Sequence, residues 1–216
     1  MKNFKPTENG TSKEGRQFEQ LKSIINYLSK SDEALTIPEI AEFVKISVPT
    51  CTKLVKDLVD KNLVIEEGKK EVENGRRPNL YALKKENFYA VGAEILEKWI
   101  HVSVDRVDLE TVHEAFSRTF VLEDTQTCLD YIVSFIKKTI DESAATLDQI
   151  IGVGIALTGS VNGHTGESAD YFKKIGVPLR TYLGDKLNLP VTIDNDTRVL
   201  GIAEQVLGGA KGLIMC

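Results

Sequence analysis

The 216-residue sequence lacks the long apolar stretches that mark membrane and secreted proteins. Its longest apolar runs, such as Ile150–Leu157, are far too short to span a bilayer. Residues 1–15 contain no apolar core of the kind that a signal peptide needs. These absences predict a protein that does not span a membrane and that works in the cytoplasm.

Cysteine is also scarce, with Cys51, Cys128 and Cys216 widely separated. This spacing fits neither a disulfide framework nor a metal-binding knuckle. The sequence therefore predicts no metal ion and no cofactor for this chain.

A large excess of positive charge is missing as well, because the net charge is −5. The charge is unevenly distributed: residues 1–86 carry a net charge of +2 and the remainder carries −7. A small domain that touches phosphates, joined to an acidic domain that does not, has this pattern. The asymmetry is modest, and it agrees with the motifs below.

The first part of the chain has the organisation of a winged helix-turn-helix domain. Residues 1–14 are polar and predict a flexible arm. Apolar residues then recur at helical spacing at Leu21, Ile24, Ile25 and Leu28. Thr36 and Glu39 form a capping-box pattern that begins a second helix.

A third helix is predicted from Ser47, a second N-cap candidate followed by Pro49, to about Lys61. Asn62 then suits the left-handed backbone that ends a helix. Strands at residues 63–65 and 78–83 flank a charged tip at residues 66–74 and complete a hairpin. Helices followed by a hairpin predict a DNA-binding winged helix-turn-helix over residues 15–86.

The pattern changes in the second part of the chain. Residues 90–95, 99–107 and 111–120 alternate apolar and polar positions, which predicts an antiparallel meander. A helix over residues 129–140 follows, and then strands at residues 150–157 and 191–193 alternate with helices through Leu183 and over residues 197–207. This order predicts a mixed α+β and α/β fold, namely the first lobe of an actin-like (ribonuclease-H-like) domain over residues 87–216.

Short polar and basic side chains are clustered at the beginning of the third helix. Such side chains can reach base edges and phosphates when a helix enters the major groove. The alternative is an ordinary solvated helix face. The predicted DNA contacts of this helix are Ser47, Pro49, Thr50, Thr52, Lys53 and Lys56.

The predicted wing carries an adjacent pair of arginines, Arg76 and Arg77. Arginines held on a hairpin can enter a minor groove or bind phosphate. The alternative is a surface pair neutralised by Glu71 and Glu73.

Three segments together resemble the repressors of the ROK family: LTIPEIA at residues 35–41, ISVPTCTKLV at residues 46–55, and GRRP at residues 75–78 followed by LYAL. That family unites sugar-responsive repressors, such as the xylose and N-acetylglucosamine repressors, with sugar kinases. The resemblance covers roughly residues 15–216. Lys45 stands where the family commonly has a turn glycine, and Val48 where it commonly has an arginine; both departures bear on base preference.

The resemblance implies an effector site for a sugar or a sugar phosphate. Asn195 and Asp196 match the family's Asn-Asp sugar site, and in a kinase Asp196 would be the general base. Gly159 and Ser160 match the Gly-Pro turn that lines the same pocket, with Ser160 in place of the proline. The alternative for Asp196 is a helix N-cap.

The resemblance also argues against catalysis. Kinases of the family carry an Asp-x-Gly-Gly-Thr turn for ATP phosphates, whereas residues 94–98 read Glu-Ile-Leu-Glu-Lys. Without glycine, and with two glutamates, this turn predicts no ATP-dependent phosphorylation. A ROK-type sugar kinase with an added N-terminal domain remains the alternative, and a DNA-binding remnant that ignores sugar is a third hypothesis.

The resemblance further implies a homodimer or higher oligomer on double-stranded operator DNA. The family's cysteine cluster, the His and Glu that complete its sugar site and its second phosphate loop have no counterpart before Cys216. The chain is therefore predicted to be truncated, and structural zinc is expected only in a missing C-terminal part.

Overall fold

The computed structural model describes residues 13–31, 33–71, 77–206 and 208. The predicted arm up to residue 12, Gly75 and Arg76 of the predicted wing, and the apolar segment at residues 213–216 lie outside the described residues. The chain divides into two compact units, Met1–Asn87 and Phe88–Cys216. The division falls one residue after the boundary expected from the sequence.

The described residues of the first unit form three α-helices and a small sheet. Its elements are α1 (Lys13–Ser29), β1 (Leu35–Thr36), α2 (Ile37–Val44), α3 (Val48–Asp60), β2 (Val64–Lys69) and β3 (Asn79–Leu83). The strand order is β1-β3-β2, with antiparallel pairing throughout. Ile24, Ile40, Val55 and Leu58 are fully buried and bring the three helices together around one core.

Local side-chain hydrogen bonds determine where α2 and α3 begin. The Thr36 hydroxyl accepts from the Glu39 N–H while the Glu39 carboxylate accepts from the Thr36 N–H, as the predicted capping box requires. Ser47 caps α3 by accepting from the Thr50 N–H. Lys45 and Asn62, which follow the two helices, both have left-handed backbones with φ of 58°.

The wing hairpin differs in one respect from the expectation. β2 continues to Lys69, although a charged tip was expected from Glu66 onwards. Glu66 still pairs with Tyr81 and Lys69 with Asn79, and the register shifts between the two pairs. Gly68, at a φ of 103°, accommodates that irregularity. The charged side chains of this extension are exposed, so the strand continues without burying them.

The second unit is built around a five-stranded sheet of order β10-β7-β4-β5-β6. Its strands are β4 (Tyr89–Leu96), β5 (Trp99–Arg106), β6 (Thr111–Ser117), β7 (Ile150–Leu157) and β10 (Val191–Asn195). β4, β5 and β6 form the predicted antiparallel meander, and β7 and β10 add in parallel. A short hairpin of β8 (Val161–Asn162) and β9 (Glu167–Ser168) lies between them in the chain.

Helices complete the second unit: α4 (Gln126–Glu142), α5 (Leu179–Leu187) and α6 (Asp196–Val206). α4 packs on β5 and β6 through Ile132, Ile136 and other apolar residues, and α5 packs against β10. Among the described ranges, the helices do not combine the length and apolar character needed to cross a membrane. This architecture confirms the predicted fold class, a winged helix-turn-helix followed by a mixed α/β lobe.

Candidate DNA-reading surface and effector site

The residues of the third helix and its N-cap that were predicted to read DNA lie together on the exposed side of α3. The opposite side of this helix is buried through Cys51, Leu54, Val55 and Leu58. All six predicted residues are exposed: Ser47, Pro49, Thr50, Thr52, Lys53 and Lys56. Because the buried side fixes the rotation of the helix in its unit, it also fixes which side chains face solvent.

Hydroxyl groups at the beginning of α3 are partly engaged within the helix. The Ser47 and Thr50 hydroxyl oxygens lie 2.8 Å apart, and Thr52 Oγ1 donates to the Val48 carbonyl at 2.8 Å. A hydroxyl oxygen can accept two hydrogen bonds, so the Thr50 and Thr52 hydroxyls retain acceptor capacity. The geometry therefore makes Ser47 a structural cap first, whereas Lys53 and Lys56 extend their ammonium groups from the exposed side.

Val48 belongs to the same surface, although it was considered in the sequence only as a departure from the family pattern. Its side chain is 47% exposed on the first turn of α3. An apolar side chain in this place can contact a thymine methyl group. Its spacing from Thr52, four residues along the same helix, is the sequence pattern that indicates this side.

The described part of the wing closes with a backbone hydrogen bond from the Lys70 N–H to the Pro78 carbonyl, at 2.9 Å. Arg77 is exposed beside this closure. Lys70 itself reaches back to α2, where its Nζ lies 2.5 Å from Glu39 Oε1. Lys70 was not predicted from the sequence, because nothing local relates it to a residue so distant in the chain.

Glu39 carries the most strongly shifted carboxyl group of the described part of the first unit. The hydrogen bond from Lys70, followed by those from the Thr36 N–H and hydroxyl, lowers the pKa of Glu39 from 4.5 to about 2. The carboxylate is thus ionised throughout the physiological range.

In the second unit, Gly159 and Asn195 meet at one edge of the sheet. β7 and β10 are parallel and end in register, with Asn195 opposite Leu157, so the segments that follow them lie side by side. The Asn195 side-chain amide donates to the Gly159 carbonyl at 2.8 Å. The carboxyl ends of parallel strands are the usual place for ligand crevices in such sheets.

The N-cap expected as the alternative role of Asp196 belongs instead to Asn195. Asn195 Oδ1 accepts from the Arg198 N–H at 3.1 Å, whereas Asp196 is the first residue of α6. Asp196 Oδ1 accepts from the Thr197 N–H and from the Asn195 amide. Asparagine occupies the cap because it ends β10 with an oxygen three residues before the Arg198 amide.

Ser160 is held by an aspartate at the same edge. Its N–H donates to Asp170 Oδ2 at 2.6 Å. Gly159 has a φ of 92°, and a Cβ there would lie 2.8 Å from the same Asp170 oxygen. This turn therefore requires glycine at position 159.

A cavity of about 880 Å³ opens next to this edge. Of the four predicted effector residues, Ser160 lines it, whereas Gly159, Asn195 and Asp196 do not. The remaining lining comes mainly from the β8–β9 hairpin and the segment before α5. The polar and charged side chains in the lining are Ser160, Asn162, His164, Glu167, Ser168, Lys173 and Arg198.

Arg198 links the cavity to the Asn-Asp pair. Its Nη1 lies 2.7 Å from Asp194 Oδ1, on the residue before Asn195. Of the cavity residues, Ser160 alone was predicted from the sequence, because the segments that carry the others are short and have no periodic pattern.

The hairpin turn between β4 and β5 replaces the phosphate-binding turn of the kinases. Glu97 and Lys98 occupy the turn and are exposed, and Ile95 is buried in the core. The Glu97 carbonyl accepts from the Leu122 N–H at 2.9 Å, which fixes the turn against the segment that precedes α4. Burial, and then the carboxylates of Glu97 and Asp170, raise the pKa of the nearby Tyr171 hydroxyl. These carboxylates make the turn an unfavourable place for a negatively charged phosphate group.

Within the described ranges, no group of three or more His, Cys, Asp or Glu side chains has an arrangement that could hold a metal ion. Cys51 and Cys128 are both buried as free thiols, and burial raises the pKa of each. Neither thiol is thus arranged as a thiolate ligand or nucleophile.

Comparison with known proteins agrees with both units. The model of the ROK family matches residues 106–214, and a winged helix-turn-helix DNA-binding model matches residues 19–65. The xylose repressor of Caldicellulosiruptor bescii is 27% identical over 172 residues, which cover 79% of this chain and 43% of that protein.

The transcriptional dual regulator NagC of Escherichia coli is 24% identical over 177 residues, covering 80% of this chain and 43% of that protein. The chain thus spans less than half the length of these two relatives.

A crystal structure of a ROK family transcriptional regulator, described as a homologue of the E. coli MLC protein, has the same fold. It superposes with a TM-score of 0.69 at 18% identity, covering 88% of this chain and 49% of that one. The family match over more than half of the sequence establishes that the chain belongs to the ROK family.

Proposed function

We propose that this chain is a sugar-responsive DNA-binding regulator that acts in the bacterial cytoplasm as a repressor of carbohydrate-utilisation genes. The observation that carries the proposal is the exposed side of α3, where two lysines follow a polar, capped helix start. The names of the relatives support it, since they include a xylose repressor and an N-acetylglucosamine repressor.

We propose that the winged helix-turn-helix unit places α3 in the major groove of operator DNA. Thr50 and Thr52 then face base edges, and Lys53 and Lys56 face phosphates. Arg76 and Arg77 extend the contact to the neighbouring groove or backbone. A homodimer would bind two half-sites in this way, with the symmetry of the protein matched by that of the operator.

The sensor is proposed to bind a sugar or a sugar phosphate at the cavity beside the Asn195–Asp196 edge. Its volume of about 880 Å³ accommodates such a ligand, and hydroxyl, amide and carboxylate groups line it. Ligand controls DNA binding only if it has different affinities for the DNA-binding and non-binding states.

A gel-shift series with genomic fragments tests the DNA-binding part of the proposal. We expect the chain to retard a subset of fragments in the presence of excess non-specific DNA, and the Lys53→Ala, Lys56→Ala double variant to retard that subset more weakly. Retardation of all fragments alike, or of none, would contradict it.

A sugar kinase is the alternative that Asp196 favours, because this residue matches the general base of the family's kinases. The Glu97–Lys98 turn speaks against it, since it contains no glycine that would let backbone N–H groups approach ATP phosphates and it carries an exposed glutamate. A coupled assay for ADP release over a panel of sugars distinguishes the two functions. We expect no turnover, and turnover abolished by Asp196→Asn would establish the kinase.

DNA binding that no sugar alters would instead support the third hypothesis, a DNA-binding remnant that does not respond to sugar.

A further inference from the structure

A single carboxylate joins three parts of the winged unit. Glu39 Oε2 accepts from the Thr36 N–H at 2.8 Å and from the Thr36 hydroxyl at 2.7 Å. Its other oxygen, Oε1, accepts from Lys70 Nζ at 2.5 Å. Glu39 belongs to α2, Thr36 to β1, and Lys70 follows the last residue of β2. One side chain therefore connects the first helix of the helix-turn-helix to the far end of β2 in the wing hairpin.

Lys70 lies directly after β2, at the position where the direction of the wing tip is set. Its backbone N–H closes the described hairpin by donating to Pro78, and Arg77 precedes Pro78 directly. Any rotation of Lys70 thus moves the point at which the chain approaches and leaves the wing tip. Arg77 moves with it because only one peptide unit separates it from the closing residue.

Backbone pairing alone leaves this direction weakly determined. The β2–β3 register shifts between Glu66 and Lys69, and Gly68 lies within that irregularity at a φ of 103°. A bulge bends and twists the strand locally and interrupts its ladder of hydrogen bonds, and glycine adds backbone freedom at the bend. The Lys70–Glu39 ion pair lies beyond the irregularity and can therefore hold the end of the hairpin in one direction.

The ammonium group of Lys70 is also committed to Glu39. Its pairing with the Glu39 carboxylate at 2.5 Å offsets its positive charge, so Lys70 is less suited to contact a phosphate than an unpaired lysine, although the wing is proposed to approach DNA. Lys70 is therefore suited to positioning, in contrast to the contact role proposed for Lys53.

We propose that the Glu39–Lys70 pair is a positioning clamp that holds the wing in a fixed direction relative to α2 and α3, so that Arg77 reaches DNA when α3 is in the groove. This inference rests on the proposed function for its consequence on DNA, but the clamp itself can be measured without DNA. Both side chains are partly exposed, so the pair is expected to contribute orientation more than stability.

The decisive measurement uses residual dipolar couplings of backbone amides in the isotopically labelled full chain. In the parent, couplings of β2 and β3 should fit the same alignment tensor as those of α2 and α3. In Lys70→Met, the hairpin couplings should shrink or require a different orientation. Lys70→Arg should restore the parent pattern. Lys69→Met should keep the parent pattern, because it removes the same charge from an exposed neighbouring residue.

A second measurement uses a duplex that the parent chain enriches from a randomised library. Lys70→Met should weaken binding roughly three- to fivefold more than Lys69→Met does, the range that an exposed ion pair supports. Hydroxyl-radical protection should be lost at the wing contact and kept at the α3 contact.

The outcomes separate this inference from the proposed function. Unchanged hairpin couplings in Lys70→Met overturn the clamp whether or not DNA binds. Altered couplings with no enrichment of any duplex by the parent support the clamp and contradict the proposed function. Altered couplings with equal protection of both contacts would show that the clamp orders the wing but does not direct it to DNA, which overturns the proposal as stated.

Discussion

The side-chain amide of Asn195 donates to the carbonyl oxygen of Gly159 at 2.8 Å and joins the segments that follow two parallel strands. The same side chain caps α6 through its oxygen, which accepts from the Arg198 N–H. Arg198 in turn lines the cavity and pairs with Asp194. Asn195 is thus the residue through which the strand ends, the first turn of α6 and the cavity are connected.

Substitution of Asn195 should separate its two structural contributions. Asn195→Ala removes both the cap and the bond to Gly159, and we expect a loss of about 1–2 kcal/mol in the free energy of unfolding. Asn195→Ser retains a capping oxygen and loses only the amide, so it should lose roughly half as much. Urea unfolding gives the free energies, and amide hydrogen exchange at Arg198 reports the cap. Equal losses in the two variants would show that capping contributes nothing.

Ser47 permits a test that separates folding from DNA contact. Ser47→Ala removes the cap of α3 and should lower the free energy of unfolding by about 1 kcal/mol. Ser47→Asp keeps a capping acceptor but places a negative charge beside the proposed phosphate contact, so it should fold normally and bind DNA more weakly. Thermal unfolding and fluorescence anisotropy with a selected duplex provide the two readouts. Normal DNA binding by Ser47→Asp would remove the beginning of α3 from the interface.

Lys53 and Lys56 should account for part of the salt dependence of DNA binding. Each lysine-to-alanine change is expected to reduce the slope of log K against log salt by about 0.9 if the lysine contacts one phosphate. Lys137→Ala is the matched control, because it removes the same charge from an exposed residue on α4 in the other unit. Equal slopes for all three variants would mean that these lysines do not contact the duplex.

The lowered pKa of Glu39 predicts a specific pH dependence of stability. The folded-state pKa is about 2, below the ordinary value of 4.5, so the ionised form is favoured by folding. Its contribution is therefore complete above about pH 5 and is lost as the pH falls towards about pH 2. The side chain is 37% exposed, so solvent screening reduces the effect below that of a buried pair.

Glu39→Gln provides the comparison for this pH dependence. The difference in unfolding free energy between the parent and this variant should shrink steadily from about pH 5 to about pH 2. A constant difference over this range would show that ionisation of Glu39 does not contribute to stability.

Local features of the fold could be predicted from the sequence because their causes lie within a few residues. The caps at Thr36 and Ser47 each depend on an oxygen and an amide three residues apart. The left-handed backbone at Asn62 follows from the end of α3. The strand Ile150–Leu157 was predicted with its observed bounds, because a short apolar run limited by turn residues is typical of a buried strand.

Features that join distant parts of the chain could not be predicted in this way. The Lys70–Glu39 pair depends on how the hairpin returns to α2, and no periodic pattern reports that. The cavity combines a hairpin, a loop and Arg198, none of which has a strong signal of its own. Asn195 caps the beginning of α6 because β10 extends to that residue. The strand thus ends two positions beyond the end expected from the sequence.

A sugar titration of DNA binding by this chain tests sugar-responsive regulation most directly. The probe is a duplex selected by the chain from genomic DNA, and the ligands are D-xylose, N-acetylglucosamine and their phosphates. We predict that at least one of them changes the dissociation constant by roughly 5- to 150-fold, the range usual for coupled sites. The Arg198→Ala variant should reduce that change. Sequence-specific binding that is the same with every sugar would contradict sugar-responsive regulation by this chain.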